Sequence, residues 1–251
     1  MEATFIGVGE ACDSNYGNTS ILIKDARSGN HLLDCGFSVP HCYFKSCSDP
    51  DELDTLWISH FHGDHFFGVP LLLLRLWEMG RRKPLEIVGQ KNIAEKIMAG
   101  INLAYGSLAE KLQYELNFHV LLPGKEVKIA GIKWQSARGN HSQPCLALTL
   151  NDGERKIFYS GDGRPTPETA LIASGCDLLI HEAFMLTDEI PGHGSIQGSI
   201  NFFRQVKAKR LALVHLNRKI RLREKKHIQS LLAEIPGQTG YLPETGEKII
   251  L

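Results

Sequence analysis

The stretch that decides the fold is Ile58-Ser59-His60-Phe61-His62-Gly63-Asp64-His65, which places three histidines and one aspartate within six positions. It follows a short apolar run and precedes a strongly apolar one at residues 66–77. His60 and His62 are two positions apart, so in an extended segment they project to the same side. The stretch therefore predicts a strand end that carries two imidazoles on one side.

The next three residues predict a tight turn into a helix. Gly63 lets the chain turn sharply, Asp64 lies where a helix N-cap is favoured, and His65 falls in the first turn. Imidazole and carboxylate suit zinc and similar divalent ions. A closed structural zinc site usually has four ligands and is rich in cysteine. The four side chains therefore divide more naturally between two adjacent ions, which requires further ligands from elsewhere in the chain.

Length and composition bound the class of protein. The 251 residues allow one large domain or two small ones, and 43% hydrophobic residues allow a sizeable core. No apolar run reaches the roughly 18 residues of a membrane span, so no membrane partner is expected. The first residues show no signal peptide, so a cytoplasmic location is predicted. Lys plus Arg and Asp plus Glu number 28 each, which gives no global attraction to nucleic acid.

The order of predicted elements indicates an α/β protein. Strand-rich blocks occur in both halves of the chain with helices between them, which predicts two sheets covered by helices. No Pro/Ser-rich linker divides the chain. We therefore predict a single domain over residues 1–251, made of two β-rich halves that meet near residue 125.

Three helix ends carry further predictions. Asn92 is expected to cap a helix over 92–104. Arg81 to Lys83 are expected to form a solvated, positively charged helix end. An amphipathic helix is predicted over 221–235, and the basic residues around its start are interpreted as a solvated face, with RNA contact as the alternative. These basic residues are Arg218, Lys219, Arg221, Arg223, Lys225 and Lys226.

The six cysteines include no CxxC pair. Cys42 and Cys47 are the closest, and His41 lies beside them. A second metal site there is one interpretation, but the spacing misses the usual zinc patterns. Free thiols are the expectation that we prefer.

Three residues that follow predicted strands in the second half supply candidates for the missing ligands. They are His141, Asp162 and His215. In α/β folds, ligand-binding groups lie just after strands. Each residue alone is weak evidence for a metal site. Only in combination with the first cluster do the three residues become candidate metal ligands.

The order His60-x-His62-x-Asp64-His65, then His141, Asp162 and His215, resembles the metallo-β-lactamase superfamily over essentially the whole chain. The resemblance implies a four-layer αβ/βα sandwich, two mixed sheets flanked by helices, with a two-metal site along one edge. It implies that His60, His62 and His141 hold one ion, that Asp64, His65 and His215 hold the other, and that Asp162 bridges the two.

Within the superfamily the chain is most similar to ribonuclease Z, the transfer-RNA 3′-processing phosphodiesterase. His181-Glu182-Ala183-Phe184 and Gly192-His193-Gly194-Ser195 carry this likeness most clearly. It implies that Glu182 orients His193 and that His193 aids phosphodiester cleavage. The chain departs from that family at Phe37, where Glu is frequent, and residues 90–122 are predicted as helix and strand rather than as an arm that grips transfer RNA.

These features predict a hydrolase that depends on two divalent metal ions, zinc first, with manganese or iron also compatible. We expect a phosphodiesterase that acts on RNA or on a smaller phosphodiester such as a cyclic nucleotide, by a hydroxide that bridges the ions. Asp64 is expected to accept a hydrogen bond from that hydroxide, and Asp34 to support a ligand histidine or to be purely structural. The alternatives are a hydrolase of thioesters, lactones or other acyl substrates, and a catalytically silent binding protein. A homodimer is also considered.

Overall fold

The structure, a computed structural model, describes residues 1–187 and 190–251 and contains two seven-stranded sheets. The first half of the chain supplies six strands: β1 (Glu2–Gly7), β2 (Ser20–Asp25), β3 (Gly29–Leu33), β4 (Thr55–Ile58), β5 (Leu85–Gly89) and β6 (Leu116–Val120). The second half supplies eight: β7 (Glu126–Ile129), β8 (Ile132–Arg138), β9 (Leu146–Asn151), β10 (Lys156–Tyr159), β11 (Leu178–Glu182), β12 (Leu211–Val214), β13 (Gly240–Tyr241) and β14 (Lys248–Ile250).

The strand order is β14-β1-β2-β3-β4-β5-β6 in the first sheet and β13-β12-β11-β10-β9-β8-β7 in the second. The helices are α1 (Val39–Tyr43), α2 (Gly63–Phe66), α3 (Val69–Glu78), α4 (Ile93–Ala104), α5 (Leu108–Lys111), α6 (Pro167–Ala173), α7 (Ile196–Val206) and α8 (Arg218–Ala233), with a 3₁₀ turn at Pro236–Gln238. Residues 90–122 contain α4, α5 and β6, as predicted.

Alternating apolar residues build the layers. In β2, Ile21 and Ile23 point into a core shared by the two sheets, while Leu22 points to a second core beneath helices α1 to α5. A third core lies between the second sheet and helices α6 to α8. Because side chains alternate across a strand, one sheet can face two cores. The predicted arrangement, two mixed sheets flanked by helices, is confirmed.

The central core contains residues of both halves, including Trp57 of β4 and Trp134 of β8, whose rings are 6.3 Å apart. The last strand, β14, also returns to pair with β1 of the first sheet. The single domain stays a prediction, and this shared core supports it. The chain passes from the first sheet to the second between β6 and β7.

The parallel strands of both sheets end at one edge of the sandwich. Strands β3 to β6 are parallel in the first sheet, and β10 to β13 are parallel in the second. Leu146 donates a backbone hydrogen bond to Ser59 across this edge, at 3.1 Å. Loops that follow strands of both sheets therefore converge there, as is typical of ligand sites in α/β folds.

Two helix-end predictions are wrong in detail. Asn92 adopts the left-handed conformation, with φ of 70°, and its side chain makes no capping hydrogen bond. Asparagine tolerates this conformation, so the residue serves the turn before α4 rather than the cap. Helix α8 begins at Arg218, not at residue 221, because Asn217 caps it by accepting from the Lys219 amide at 3.0 Å.

Two arginines predicted to face solvent are buried. Arg221 has no exposed surface, and its guanidinium carbon lies 4.1 Å from the centroid of the Tyr16 ring. Arg81 is equally buried and donates to the carbonyls of Pro50, Leu53 and Pro84 at 2.6–2.8 Å. Both arginines therefore connect segments that are distant along the chain. A buried carbonyl group that lies outside helices and strands needs a hydrogen-bond donor from elsewhere in the protein.

No helix in the part of the chain that the structure describes combines the length and the apolar character needed to cross a membrane.

Replacement of Arg81 by methionine should lower the free energy of unfolding by about 2–4 kcal/mol, because the substitution leaves buried carbonyl acceptors without donors. Methionine retains most of the apolar stem, so the loss reports the guanidinium. Urea unfolding followed by circular dichroism measures it, and Arg82→Met, at an exposed neighbouring position, is the matched control. Equal stability of the two variants would contradict the structural role of Arg81.

Candidate metal centre

Loops at the shared edge bring the seven predicted ligands together. His60 follows β4, His62 precedes α2, and Asp64 and His65 lie within α2. His141, Asp162 and His215 follow β8, β10 and β12. The structure thus places side chains from both halves of the chain in one buried cluster.

The first group consists of His60, His62 and His141, with Asp162 beside them, and the ligand atoms of the four residues lie within 4.8 Å of one another. His62 Nδ1 is 3.1 Å from Nε2 of His60 and 3.1 Å from Nε2 of His141. Two nitrogens that bind one zinc tetrahedrally at about 2.0–2.1 Å lie roughly 3.3 Å apart. The spacing of the three imidazoles therefore fits a single ion.

In two of these rings, a hydrogen bond at the nitrogen that faces away from the cluster determines which nitrogen carries the proton. His141 Nδ1 donates to the Gly192 carbonyl at 2.6 Å, so its Nε2 keeps a lone pair. The Ser59 hydroxyl donates to Asp34 at 2.7 Å, so it accepts from His60 Nδ1 at 2.9 Å. His60 Nε2 therefore also presents a lone pair to the cluster, which is the tautomer that binds a metal.

The second group consists of Asp64, His65, Asp162 and His215, all buried. His65 Nε2 lies 3.2 Å from Asp162 Oδ1 and 3.4 Å from Asp64 Oδ2. His215 Nε2 lies 3.2 Å from Asp64 Oδ2 and 3.4 Å from Asp162 Oδ2. Asp162 belongs to both groups, so its carboxylate lies between two places where an ion would fit.

The charges of this second group favour positive charge at its centre. Burial lowers the pKa of His65, but Asp162 and Asp34 outweigh burial and hold it well above its usual range. Burial likewise lowers the pKa of His215, and Asp162 and Asp64 raise it overall. Burial raises the pKa of Asp64, and the adjacent imidazoles of His215 and His65 bring it below its usual range. A divalent cation satisfies the same electrostatic demand that draws protons to these imidazoles.

Unpartnered buried atoms test whether the residues fit a metal. His65 Nε2 and Asp162 Oδ1 are buried and have no hydrogen-bond partner, although they lie 3.2 Å apart. Buried polar atoms are seldom left unpaired. Both atoms point into the second group, where a cation would pair with each, so the donor set fits divalent metal binding.

Asp64 departs from its predicted position. His62 occupies the N-cap of α2, and Asp64 lies in the first turn. Helix α2 begins at Gly63, two residues earlier than predicted, and the Asp64 carboxylate lies beside His65 and His215 instead of capping the helix. His65 falls in the first turn, as predicted.

Glu182 and His193 lie next to the second group. Glu182 is fully buried at the end of β11, and its carboxylate accepts backbone hydrogen bonds from Gly163, Phe184 and Gly194 at 2.8–3.0 Å. His193 Nδ1 is 3.5 Å from Glu182 Oε1, buried and without a hydrogen-bond partner. Catalytic hydrogen bonds are often long before substrate binds, so the pair is placed to orient an imidazole.

Neighbouring rings hold the imidazole of His193. It stacks on Phe184 at 4.8 Å and on His215 at 5.6 Å, and it meets the His141 ring edge-on at 5.0 Å. Glu182, His193 and His215 form a third group that a cation could fit by distance alone. This group suits a metal less well than the other two, because backbone amides already occupy the Glu182 carboxylate.

Strained backbone occurs at two residues of the centre. Asp34 and His215 have φ of 61° and 57°, in the left-handed region that residues other than glycine rarely adopt. The Asp34 amide donates to the Trp57 carbonyl and the His215 amide to the Val8 carbonyl, at 2.8 and 2.9 Å. The surrounding structure therefore enforces both conformations, as is common at functional sites.

Three contacting residues were not predicted from the sequence: Ser59, Tyr159 and Gly192. Tyr159 donates to Asp34 Oδ2 at 2.7 Å from the opposite sheet. Ser59 and Tyr159 each lie close in sequence to predicted ligands, and this proximity is the only signal that would have selected them. Within residues 1–187 and 190–251, none of the three metal-type groups includes Cys42 or Cys47.

Comparison with known proteins places the chain among related sequences. A family model described as anti-Pycsar protein Apyc1 matches residues 1–234. The chain is 26% identical to ribonuclease BN of Cronobacter sakazakii over 292 aligned positions, covering 93% of this chain and 94% of the relative. Because the chain has 251 residues, the relative contains residues that have no counterpart here.

Solved structures share the fold. Human tRNase Z, short form, superposes with a TM-score of 0.81 at 23% identity and covers 100% of this chain and 99% of its own. The metallo-β-lactamase fold protein YhfI from Bacillus subtilis superposes with a TM-score of 0.79 at 18% identity and covers 99% of each chain. The arrangement of sheets and helices described above is therefore that of the metallo-β-lactamase fold.

Replacement of Asp34 by asparagine should weaken metal binding about 10–100-fold, because the carboxylate that accepts from His65 and Ser59 is lost. Asparagine keeps the size of the side chain and tolerates the left-handed backbone. Competition with a chromophoric chelator measures the affinity. Tyr159→Phe is the control: it removes one donor to Asp34 but leaves the contacts to the ligand side intact, so it should have a clearly smaller effect. Wild-type affinity in Asp34→Asn would contradict the supporting role of Asp34.

Proposed function

The chain belongs to the family of the anti-Pycsar protein Apyc1, and it is a metallo-β-lactamase superfamily member that resembles ribonuclease Z; from this membership and the geometry of the centre we propose that it is a phosphodiesterase that uses two divalent metal ions. The proposal is carried by one observation. Glu182 and His193, which are not among the seven clustered ligands, lie directly beside them.

We assign His60, His62 and His141 to one ion and Asp64, His65 and His215 to the other, with Asp162 between them. The ligand distances within each group and the shared position of Asp162 support this assignment. Zinc is the first choice, because imidazole and carboxylate are its usual ligands, although manganese and iron accept the same set. When bound, such ions stabilise charge on phosphate oxygens and lower the pKa of water.

His193 is proposed to donate a proton or a hydrogen bond to the phosphodiester, either at a non-bridging oxygen or at the leaving group. The buried carboxylate of Glu182 lies 3.5 Å from Nδ1, so in the imidazolium form the Nδ1 proton would face Glu182 and the Nε2 proton would be the one donated to substrate. Stacking on Phe184 and His215 restricts the ring to this orientation. Asp64 Oδ2, which lies 3.4 Å from His65 Nε2 and 3.2 Å from His215 Nε2, is proposed to accept a hydrogen bond from the attacking water.

The substrate class is proposed to be RNA or a smaller phosphodiester such as a cyclic nucleotide. The ribonuclease relative contains residues without counterpart in this chain, and the position after Cys35-Gly36 carries Phe37 rather than an acidic residue. Both differences lie outside the ligand set. The chemistry is therefore proposed to be shared with the relatives, while the shorter chain favours the smaller substrate.

Metal-loaded protein should hydrolyse bis(p-nitrophenyl) phosphate. Removal of the metal by a chelator should abolish this activity, because no ion would then remain to stabilise charge on the phosphate or to lower the pKa of water. Release of p-nitrophenol measures it. A panel with a precursor transfer RNA, a cyclic nucleotide and a thioester then identifies the substrate class. Activity confined to the thioester would refute the phosphodiesterase proposal.

His193→Ala should lower kcat for phosphodiester hydrolysis about 10²–10⁴-fold, because a positioned proton donor is lost. Its metal content should match that of the wild type, since the seven ligands are intact. His227→Ala, at an exposed histidine of α8, is the control and should retain full activity. Unchanged turnover in His193→Ala, or loss of metal together with activity, would contradict the proposed role.

A further inference from the structure

Two exposed phenylalanines lie at the edge of the metal centre. Phe37 is 52% exposed and Phe67 is 55% exposed, and their rings meet edge-on with centroids 5.8 Å apart. Large apolar side chains that are exposed together beside a polar site commonly mark a ligand surface. Single exposed apolar residues such as Leu103 are normal on a protein surface and indicate no function. The adjacent pair of exposed rings does indicate one.

The position of the pair links it to the ligand loop. A Cβ atom on Gly63 would lie 2.4 Å from Phe37 Cζ and 2.9 Å from Phe67 Cδ2. Gly63 separates His62 from Asp64, which belong to the two different ligand groups. Both rings thus pack on the backbone between the two groups, and the absence of a side chain at Gly63 is what permits this contact.

The segment that carries Phe37 is fixed before any ligand binds. Ser38 donates its amide and its hydroxyl to Asn18 Oδ1 at 3.0 and 3.1 Å, and the Asn18 amide donates to the Ser38 hydroxyl at 2.7 Å. Gly36 approaches α2 so closely that a Cβ there would lie 1.8 Å from the Asp64 carbonyl oxygen. Binding to the ring therefore needs little ordering of the backbone, which favours affinity.

Phe67 is held from the other side. It is the C-cap of α2, and its amide donates to the Gly63 carbonyl at 3.0 Å. Its ring contacts the buried ring of Phe66 at 5.4 Å. The two exposed rings therefore form one preorganised aromatic surface, which we call the Phe37–Phe67 platform.

We infer that the Phe37–Phe67 platform stacks on the nucleobase of a nucleotide substrate whose phosphate lies at the metal centre. This inference rests on the proposed function and assigns recognition of the base to two residues outside the metal-binding cluster. Every base has a π-face, so aromatic side chains bind bases without strong sequence preference. The platform is neutral and apolar, so it contributes to binding by contact with the base and not by contact with the phosphate.

Binding of adenosine 5′-monophosphate and of ribose 5-phosphate separates the two contributions, because these ligands differ only in the base. Titration calorimetry on metal-loaded protein should show the nucleotide binding roughly 10-fold or more tightly than the sugar phosphate. Phe37→Leu and Phe67→Leu keep an apolar side chain but remove the π-face, and each should reduce this ratio several-fold. Leu103→Ala, which removes an exposed apolar side chain of α4, is the control and should leave the ratio unchanged.

A ratio that stays at its wild-type value in both phenylalanine variants would overturn the inference, as would an equal weakening of both ligands. Size-exclusion chromatography accompanies the titrations: a change of mass in place of a change of ratio would identify a contact between subunits and also overturn it. The phosphodiesterase proposal fails separately, if metal-loaded wild-type protein hydrolyses no phosphodiester while the ratio behaves as expected.

Discussion

The carboxylate of Asp34 is the interaction on which the centre depends. Its oxygens accept from the Ser59 amide and hydroxyl, from His65 Nδ1 and from the Tyr159 hydroxyl, all at 2.7–2.8 Å. Ser59 and His65 belong to the first half of the chain and Tyr159 to the second. One buried anion therefore joins the two sheets and selects the tautomers of His60 and His65. Because a buried carboxylate is costly unless it is fully hydrogen-bonded, the geometry around Asp34 tolerates little variation.

The need to hold these buried side chains in fixed positions also explains why the backbone is strained in the loops that carry them. Asp34 and His215 lie directly after parallel strands, and both adopt the left-handed backbone conformation. Such a conformation costs of the order of 1–3 kcal/mol. Backbone hydrogen bonds to Trp57 and Val8 hold it in place. The strained conformations at this edge therefore lower the stability of the fold, and burial of the three apolar cores compensates for the loss.

The centre also divides its roles between rigid and exposed parts. The clustered imidazoles of His60 and His65 have no exposed surface, whereas the rings of Phe37 and Phe67 are about half exposed. Ligands that must keep a fixed spacing are held by buried partners, and surfaces that meet variable molecules lie outside them. This division is compatible with a fold that is retained at 18–26% identity, because the buried shell can persist while the exposed rim changes.

The sequence by itself indicated the two-sheet architecture and the first His/Asp cluster, since strand-rich blocks and a dense motif are local signals, and its resemblance to a known superfamily implied the remaining members of the cluster. It did not determine which polar residues are buried. Arg81 and Arg221 resemble solvated cations in the sequence, yet each is buried against loops distant along the chain. The Asp34–Tyr159 hydrogen bond joins positions 125 apart, and the contact of Phe37 with Gly63 depends on how α2 packs. Only the tertiary structure decided these features, because burial and pairing across sheets are properties of the packed chain and leave no periodic pattern in the sequence.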